Sequence, residues 1–523
     1  MQKLELTWIG KGTKPKLEPR ILLNDPSRNY GDNDTDNMLI HGDNLLVLKA
    51  LEQDYIGRVK CIYIDPPYNT GSAFEHYDDN VEHSTWLNLM RPRLVLLRNL
   101  LAEDGVIFIQ IDENEYPYLK ILLHEVFGRK NEIGDFIWQK KKGGGNDSRY
   151  IAIEHEYVMS FAKNKSILSP WFVEYSDEYL ERFNENDENG RYFWDTFMRA
   201  SGKQYYSIEC PDGTVLDTDR NGQPISWLRS EARFKRDLEM GAVRIIKIGD
   251  RWSVQFKQYM SKGKKPRSIL TNMPTNSDAK NEILALFGDP KAFDFPKPEG
   301  LVEYFLSIAT SPGDLVLDSF LGSGTTAAVA HKMGRRWIGI EFNGTAYTHA
   351  LPRLQKVVDG EQGGISKAVN WQGGGGFKFY ELAPTLIVID QYGFPIIQEV
   401  YRANATMLAA AVCKLCNFRY DPCDRNPYIH GRNNAGGSMF VTGDYVSEPM
   451  LDNIARQFRE DETLIICATA FAVGLRDRYP NIMFRKIPQA VLDRCTYGET
   501  DYKLNIVEIP DFEETEEDFE DAE

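Results

Sequence analysis

Apolar and polar positions run in two alternating periods along the first third of the chain. MLIH at 38–41 is a short apolar run that stops at Gly42-Asp43. The stretch NLLVLKALEQ then sets Leu45, Leu48 and Leu51 on one helical stripe, and VKCIYI at 59–64 is a β-rich run. A second stripe of Leu87, Met90, Leu94, Leu97 and Leu101, spaced by three and four, leads through Gly105 into a strand VIFIQID. Strands and helices in alternation predict a parallel sheet with helices on both faces. The pattern breaks after about residue 165 and returns near 295, with strand LVLDSF, loop LGSGTT, helix AAVAHKM and strand RWIGIE. Between them lie polar, aromatic-rich segments with turn signals and little helical periodicity, which mark an inserted unit. The glycine-rich NWQGGGGF at 370–377 marks the passage to a mixed α/β C-terminal part. The expected division is therefore 1–165, an insertion 166–285, a resumed α/β segment 286–370, a C-terminal domain 371–508 and a tail 509–523.

Composition narrows the function classes. At 523 residues several structural units are expected, and no apolar run approaches the ~18 to 20 residues of a membrane span. The N-terminal MQKLELTWIGKGTKPK lacks the apolar core of a signal peptide, so a cytoplasmic location is expected. Net charge is -16, but the last thirteen residues hold nine acidic groups and no basic one. That tail is expected to be solvated and disordered. Basic residues cluster locally, as Lys140, Lys141, Lys142 and Arg149 and as Lys262, Lys264, Lys265 and Arg267. The two clusters flank one region, the first before the insertion and the second within its last part, and are candidates for contact with a nucleic-acid backbone. Seven cysteines with irregular spacing fit a reducing compartment. Cys413-x-x-Cys416, followed by Cys423 and His430, has the look of a zinc site, but MLAAAVCKLCNF reads as a buried helix, and no metal is expected.

The segment DSFLGSGTT follows a strand and opens a helix, where glycines let a backbone approach a ligand closely. It is not a phosphate-binding Walker loop, because Gly324 is followed by Thr325 and no lysine is present. Strand RWIGIE ends in Glu341, placed to accept the hydroxyls of a ribose. Asp318 suits a cationic amine, Lys297 a carboxylate and Phe293 a flat ring. Ribose, ring, amine and carboxylate together describe an amino-acid nucleoside, and S-adenosylmethionine fits better than NAD, whose pyrophosphate favours the full G-x-G-x-x-G.

In YIDPPYNTGS an apolar strand runs straight into Asp65, Pro66, Pro67 and Tyr68. An aromatic amino group is a poor nucleophile because its lone pair is delocalised into the ring. Acceptors on both amino hydrogens, the Asp65 carboxylate and the Pro66 carbonyl, would localise that pair and aim it at a methyl sulfonium. Tyr68 would stack on a base held out of its helix. A proline turn capped by Asp is the plainer reading of the segment taken alone.

DPPY together with DSFLGSGTT resembles the motif pair of S-adenosylmethionine-dependent DNA amino-methyltransferases, in the order of their β group. IHGDNLLVLKAL, YIDPPYNTGSAFEHYDDN, TWLNLMRPRLVLLRNLLAEDGVIFIQIDENE, HEYVMSFAKN and FDFPKPEGLVEYFLSIAT are similar to the modification (Mod) subunits of type III restriction-modification systems. The resemblance implies an α/β fold, a circularly permuted Rossmann-like methyltransferase sheet carrying an inserted target-recognition domain and a mixed α/β C-terminal domain for dimerisation or docking. It implies Asp65, Pro66, Pro67 and Tyr68 as the catalytic motif, and Phe320, Gly322, Gly324 and Thr325 in the cofactor loop. Asp318 and Lys297 would lie by the methionine moiety, Glu341 by the ribose and Asp43 by the cofactor adenine, although Asp43 is equally placed to cap the helix beginning at Asn44. Trp138, His155, Glu156 and Tyr157 would line the target-base pocket. Double-stranded DNA, a second copy of the chain and a restriction (Res-like) subunit are the implied partners. Asp rather than Ser at position 65 favours adenine N6 over cytosine N4 as the methylated atom.

Overall fold

The computed structural model describes residues 5–12, 16–69, 83–143, 150–475, 478–492 and 495. The expectations for Arg149 and for the acidic tail at 509–523 lie outside these residues. The chain divides into two compact units, residues 1–169 with 267–523, and residues 170–266.

The first unit is built on a large mixed sheet. Its strands run in the order Leu22–Asn24, Gly376–Leu382, Met38–His41, Arg336–Glu341, Leu315–Asp318, Val59–Ile64, Leu101–Ile111, His155–Ala162, Glu132–Gln139 and Ile269–Leu270. From Gly376–Leu382 to Leu101–Ile111 all neighbours are parallel, and His155–Ala162 runs antiparallel to both strands beside it. Val59–Ile64 sits in the middle, buried almost throughout as a central parallel strand must be. Its side chains alternate between two layers. Ile62 and Ile64 join a core with Leu45, Leu48, Met90 and Leu94 from helices Asn44–Tyr55 and His83–Leu100, while the Tyr63 ring lies 5.9 Å from Phe305 of helix Glu299–Ala309. Leu101, expected on the second helical stripe, opens strand Leu101–Ile111 instead, because the helix ends at Leu100.

The expected boundary at residue 371 is too early. Strand Gly376–Leu382 pairs in parallel with Met38–His41 and is therefore an integral strand of the large sheet. Beyond it, a five-stranded sheet, Arg419–Tyr420, Gly431–Arg432, Ser438–Val446, Leu464–Phe471 and Ile482–Lys486, packs against helix Ala405–Leu415. Cys413 and Cys416 lie in that packing together with Cys467.

The second unit, 170–266, is shorter than the expected insertion, since strand Ile269–Leu270 and helix Asn276–Phe287 belong to the first unit. It holds an antiparallel sheet in the order Val243–Ile248, Arg251–Tyr259, Gly190–Thr196 and Glu185–Asp187, with Phe197, Trp227, Phe234 and Phe256 in its core. Tyr192 and Phe193 of strand Gly190–Thr196 are buried as well.

Candidate active site

The carboxyl edge of the parallel strands is where an α/β sheet opens toward a ligand. Register brings the two motifs together there. Leu317 pairs with Ile62, so the strand ends bearing Asp318 and Asp65 lie side by side although they are far apart in sequence. A cavity of about 390 Å³ opens over them. Asp65, Pro66, Pro67 and Tyr68 line it on one side; Asp318, Phe320, Gly322, Thr325 and Phe293 line it on the other.

The DPPY turn is held in place by its surroundings. The Pro67 carbonyl accepts from Trp86 Nε1 at 2.7 Å, and Asn69, at φ +58°, donates to Glu115 at 2.6 Å. Asp65 Oδ2 accepts from Lys297 Nζ at 2.6 Å, whereas Oδ1 is buried with no hydrogen bond. Tyr68 has a single hydroxyl proton and gives it to Glu156 Oε2 at 3.0 Å. Burial pushes the Asp65 carboxyl above the usual carboxylate range, with Lys297 pulling against it and Glu156 adding to it. Burial also acts on Glu156, but Lys297, Lys140 and the hydrogen bonds from Gln110 and Tyr68 outweigh it and hold that carboxyl low.

The glycine loop is shaped for close approach. Gly322 and Gly324 have φ of +54° and +88°, and a Cβ on Gly322 would meet the Phe293 ring at 3.1 Å. Asp318 accepts from the Phe320 amide at 2.9 Å, and burial raises its carboxyl to about 7. Among the described residues it has no ion-pair partner, so a buried carboxylate beside the loop lacks a cation. The Thr325 hydroxyl is anchored by Arg353 at 2.8 Å, and Arg353 by Glu299 at 2.9 Å.

Several expected site residues are placed elsewhere. Glu341 is 1% exposed and braces the loop, accepting from Gly322 N at 2.7 Å, Asn343 N at 3.0 Å and the Thr345 hydroxyl at 2.9 Å. Asp43 caps helix Asn44–Tyr55 through Leu45 N at 2.9 Å and Leu46 N at 3.2 Å, and pairs with buried Arg93. Neither lines the cavity. Lys297 serves the Asp65 side of the cavity, where a carboxylate partner was expected on the cofactor side. Of the four pocket residues only Glu156 faces the cavity. Trp138 is fully buried and bonds the Pro274 carbonyl, while His155 and Tyr157 point to the opposite face, Tyr157 stacked on Tyr116 at 4.0 Å.

The basic candidates divide too. Lys140 reaches Glu156 Oε1 at 3.3 Å and lines the cavity, while Lys141, Lys142, Lys262 and Arg267 are exposed. Lys264 and Lys265 are exposed as well, each over an aromatic ring of its own unit, Tyr179 at 4.0 Å and Phe172 at 4.1 Å. Gln110, Asp112 and Tyr63 were missed. Gln110 donates to Glu156 at 2.6 Å and accepts from Tyr63, and Asp112 lines the cavity with its carboxyl raised by burial to about 6. A polar glutamine inside the apolar run VIFIQID was the available signal.

Known proteins carry the same arrangement of sequence. Over 404 residues the chain is 34% identical to a probable type III restriction-modification enzyme HindVI Mod subunit of Haemophilus influenzae, covering 67% of this chain and 54% of that one. Over 330 residues it is 34% identical to the type III restriction-modification enzyme StyLTI Mod subunit of Salmonella typhimurium, covering 56% and 49%. The chain thus spans about half the length of these two relatives. A putative DNA modification methylase from Thermus thermophilus, crystallised with S-adenosyl-L-methionine, aligns at 17% identity and a TM-score of 0.34, over 66% of this chain and all of the other. The family pattern described as DNA methylase matches residues 59–351, more than half of the chain and the whole span from the DPPY strand past the glycine loop, and the chain belongs to that family.

Proposed function

We propose that this chain is a site-specific DNA methyltransferase that moves the methyl group of S-adenosylmethionine to adenine N6 of a flipped base, as the modification subunit of a type III-like system. The observation that carries this reading is the shared cavity, in which Asp65 and the DPPY turn line the same space as a glycine loop and Asp318, a buried carboxyl with no ion-pair partner among the described residues. The donor's ammonium fits Asp318, its adenine ring fits Phe293, and its length follows the path past Gly322 and Thr325. S-adenosylmethionine, when bound, supplies an electrophilic methyl, whose C–S bond breaks with its electron pair to sulfur as the N–C bond forms.

The chain's own residues prepare the nucleophile. Asp65 and the Pro66 carbonyl accept the two amino hydrogens, which localises the nitrogen lone pair and aims it at the methyl carbon. Tyr68 offers the ring on which the base stacks, and Glu156, tied to Tyr68, Gln110 and Lys140, fixes the orientation of that ring. The surplus proton on the methylated nitrogen is acidic enough to pass to water. Asp at position 65, where cytosine-N4 relatives mostly carry Ser, supports adenine.

On this reading the large sheet is a circularly permuted methyltransferase sheet, unit 170–266 is the target-recognition domain, and the C-terminal sheet serves dimerisation or a Res-like subunit. Transfer of labelled methyl to duplex DNA amplified without prior methylation tests the proposal. Wild type is expected to label the DNA, and Asp65→Ala and Tyr68→Ala to label it at least 100-fold more slowly (about 10² or more). Undiminished transfer in both variants would overturn the mechanism.

A further inference from the structure

Lys297 raises a question that the cofactor does not answer. Its side chain is 8% exposed, and its ammonium lies 2.6 Å from Asp65 Oδ2, 3.8 Å from Glu156 Oε2 and 4.9 Å from the centre of the Tyr68 ring. All three partners belong to the side of the cavity where the target base would bind. The two carboxylates on the opposite side that line the cavity, Asp294 and Asp318, make no ion pair with it. We infer that Lys297 is a positioning residue for the target amino group: its ammonium, bonded to Oδ2, fixes the rotation of the Asp65 carboxylate and keeps it charged as an acceptor for the amino hydrogen. The inference rests on the methyltransferase reading.

The chemistry needs such a group. A protonated Asp65 would offer its proton to the amino nitrogen and draw the lone pair away from the methyl carbon. Asp65 is faced by Glu156, Asp318 and the Tyr63 and Tyr68 hydroxyls, and Asp112, Asp294 and Lys140 line the same cavity. Four of these groups are carboxyls, and with burial Glu156 and Asp318 favour the neutral acid. Among the described residues Lys297 is the cation in contact with Asp65, since Lys140 reaches Glu156 instead. It also fixes rotation: a carboxylate held at Oδ2 by one ammonium keeps a single orientation at the strand end.

The test is the pH dependence of single-turnover methyl transfer to unmethylated duplex DNA at saturating S-adenosylmethionine. Transfer requires ionised Asp65, so it rises with pH along an acid limb. In Lys297→Gln the carboxyl loses its cation and the limb is expected to move up by about one pH unit or more. Lys297→Arg keeps the charge and is expected to restore the limb. Cofactor dissociation constants in both are expected within twofold of wild type. A limb that superimposes on wild type, or a more than tenfold loss of cofactor affinity with an unmoved limb, overturns the inference and returns Lys297 to the cofactor carboxylate. Should Lys297→Gln fail to fold, the double variant Asp65→Asn with Lys297→Met removes both charges together. It is expected to bind cofactor as Asp65→Asn alone does, and binding more than tenfold weaker contradicts the inference. A wild type that labels no DNA at any pH would defeat the methyltransferase reading itself, which is a separate outcome.

Discussion

Five neighbouring parallel strands of the large sheet run into an acid at their carboxyl ends, and four of these acids, Asp43, Glu341, Asp318 and Asp65, form a row whose two halves behave differently. On one half, Asp43 and Glu341 are saturated by protein donors: helix amides and Arg93 for the first, loop amides and the Thr345 hydroxyl for the second. On the other half, among the described residues, Asp318 has no ion-pair partner and Asp65 keeps one oxygen without a hydrogen bond, and both residues line the cavity. A strand-end carboxylate is thus not a binding group by position alone. What distinguishes the pair proposed to work is the unfilled valence, left buried where it is costly. The braced pair supports the same site from behind, Glu341 by holding Gly322 and Asp43 by fixing the helix whose Asn44 bonds the Ser319 carbonyl at 2.7 Å.

Replacing the acids one at a time sharpens the contrast. Asp65→Ala should stop methyl transfer while cofactor still binds, the largest effect on turnover. Asp318→Asn should weaken S-adenosylmethionine by roughly 10- to 100-fold, the worth of a hydrogen-bonded charge, as read by calorimetry. It should also remove a pH dependence. With its carboxyl raised to about 7, free Asp318 is protonated in mild acid, and an ammonium ligand binds the ionised form. Wild-type affinity should therefore fall as pH drops below about 7, and the Asn variant should show a flat profile over that range. Glu341→Ala should weaken the cofactor by about tenfold, because the Gly322 amide loses its acceptor. Asp43→Ala should cost about 2 to 4 kcal/mol of stability, through the lost cap and the unpaired Arg93, with cofactor affinity within twofold. A tenfold loss of affinity there would give Asp43 the adenine-binding role that its position suggested.

Local pattern and global partner choice were legible to different degrees. The strand at 59–64, the helix at 44–55 and the glycine loop follow from periodicity and from residues whose backbone demands are local, the two prolines and Gly322 and Gly324. The joining of DPPY to the loop was expected from the resemblance, and adjacency of Leu315–Asp318 to Val59–Ile64 supplies its geometry. What sequence spacing could not supply was which side chain meets which acid. Lys297 lies 232 residues from Asp65, and Arg93 is 50 residues from Asp43. The boundary at 371 failed for a similar reason: a run of glycines marks a turn, but pairing of the next strand with Met38–His41 is a long-range event. In His155-Glu156-Tyr157 the alternation of a strand decided that only the middle residue reaches the cavity.

The most direct measurement uses S-adenosylmethionine with a deuterated methyl group. Unmethylated duplex DNA is incubated with wild type or Asp65→Asn, digested to nucleosides and analysed by mass. Deuterated N6-methyladenine from wild type, and none from Asp65→Asn, is the predicted result. Label on cytosine N4, or equal label from both proteins, would contradict it.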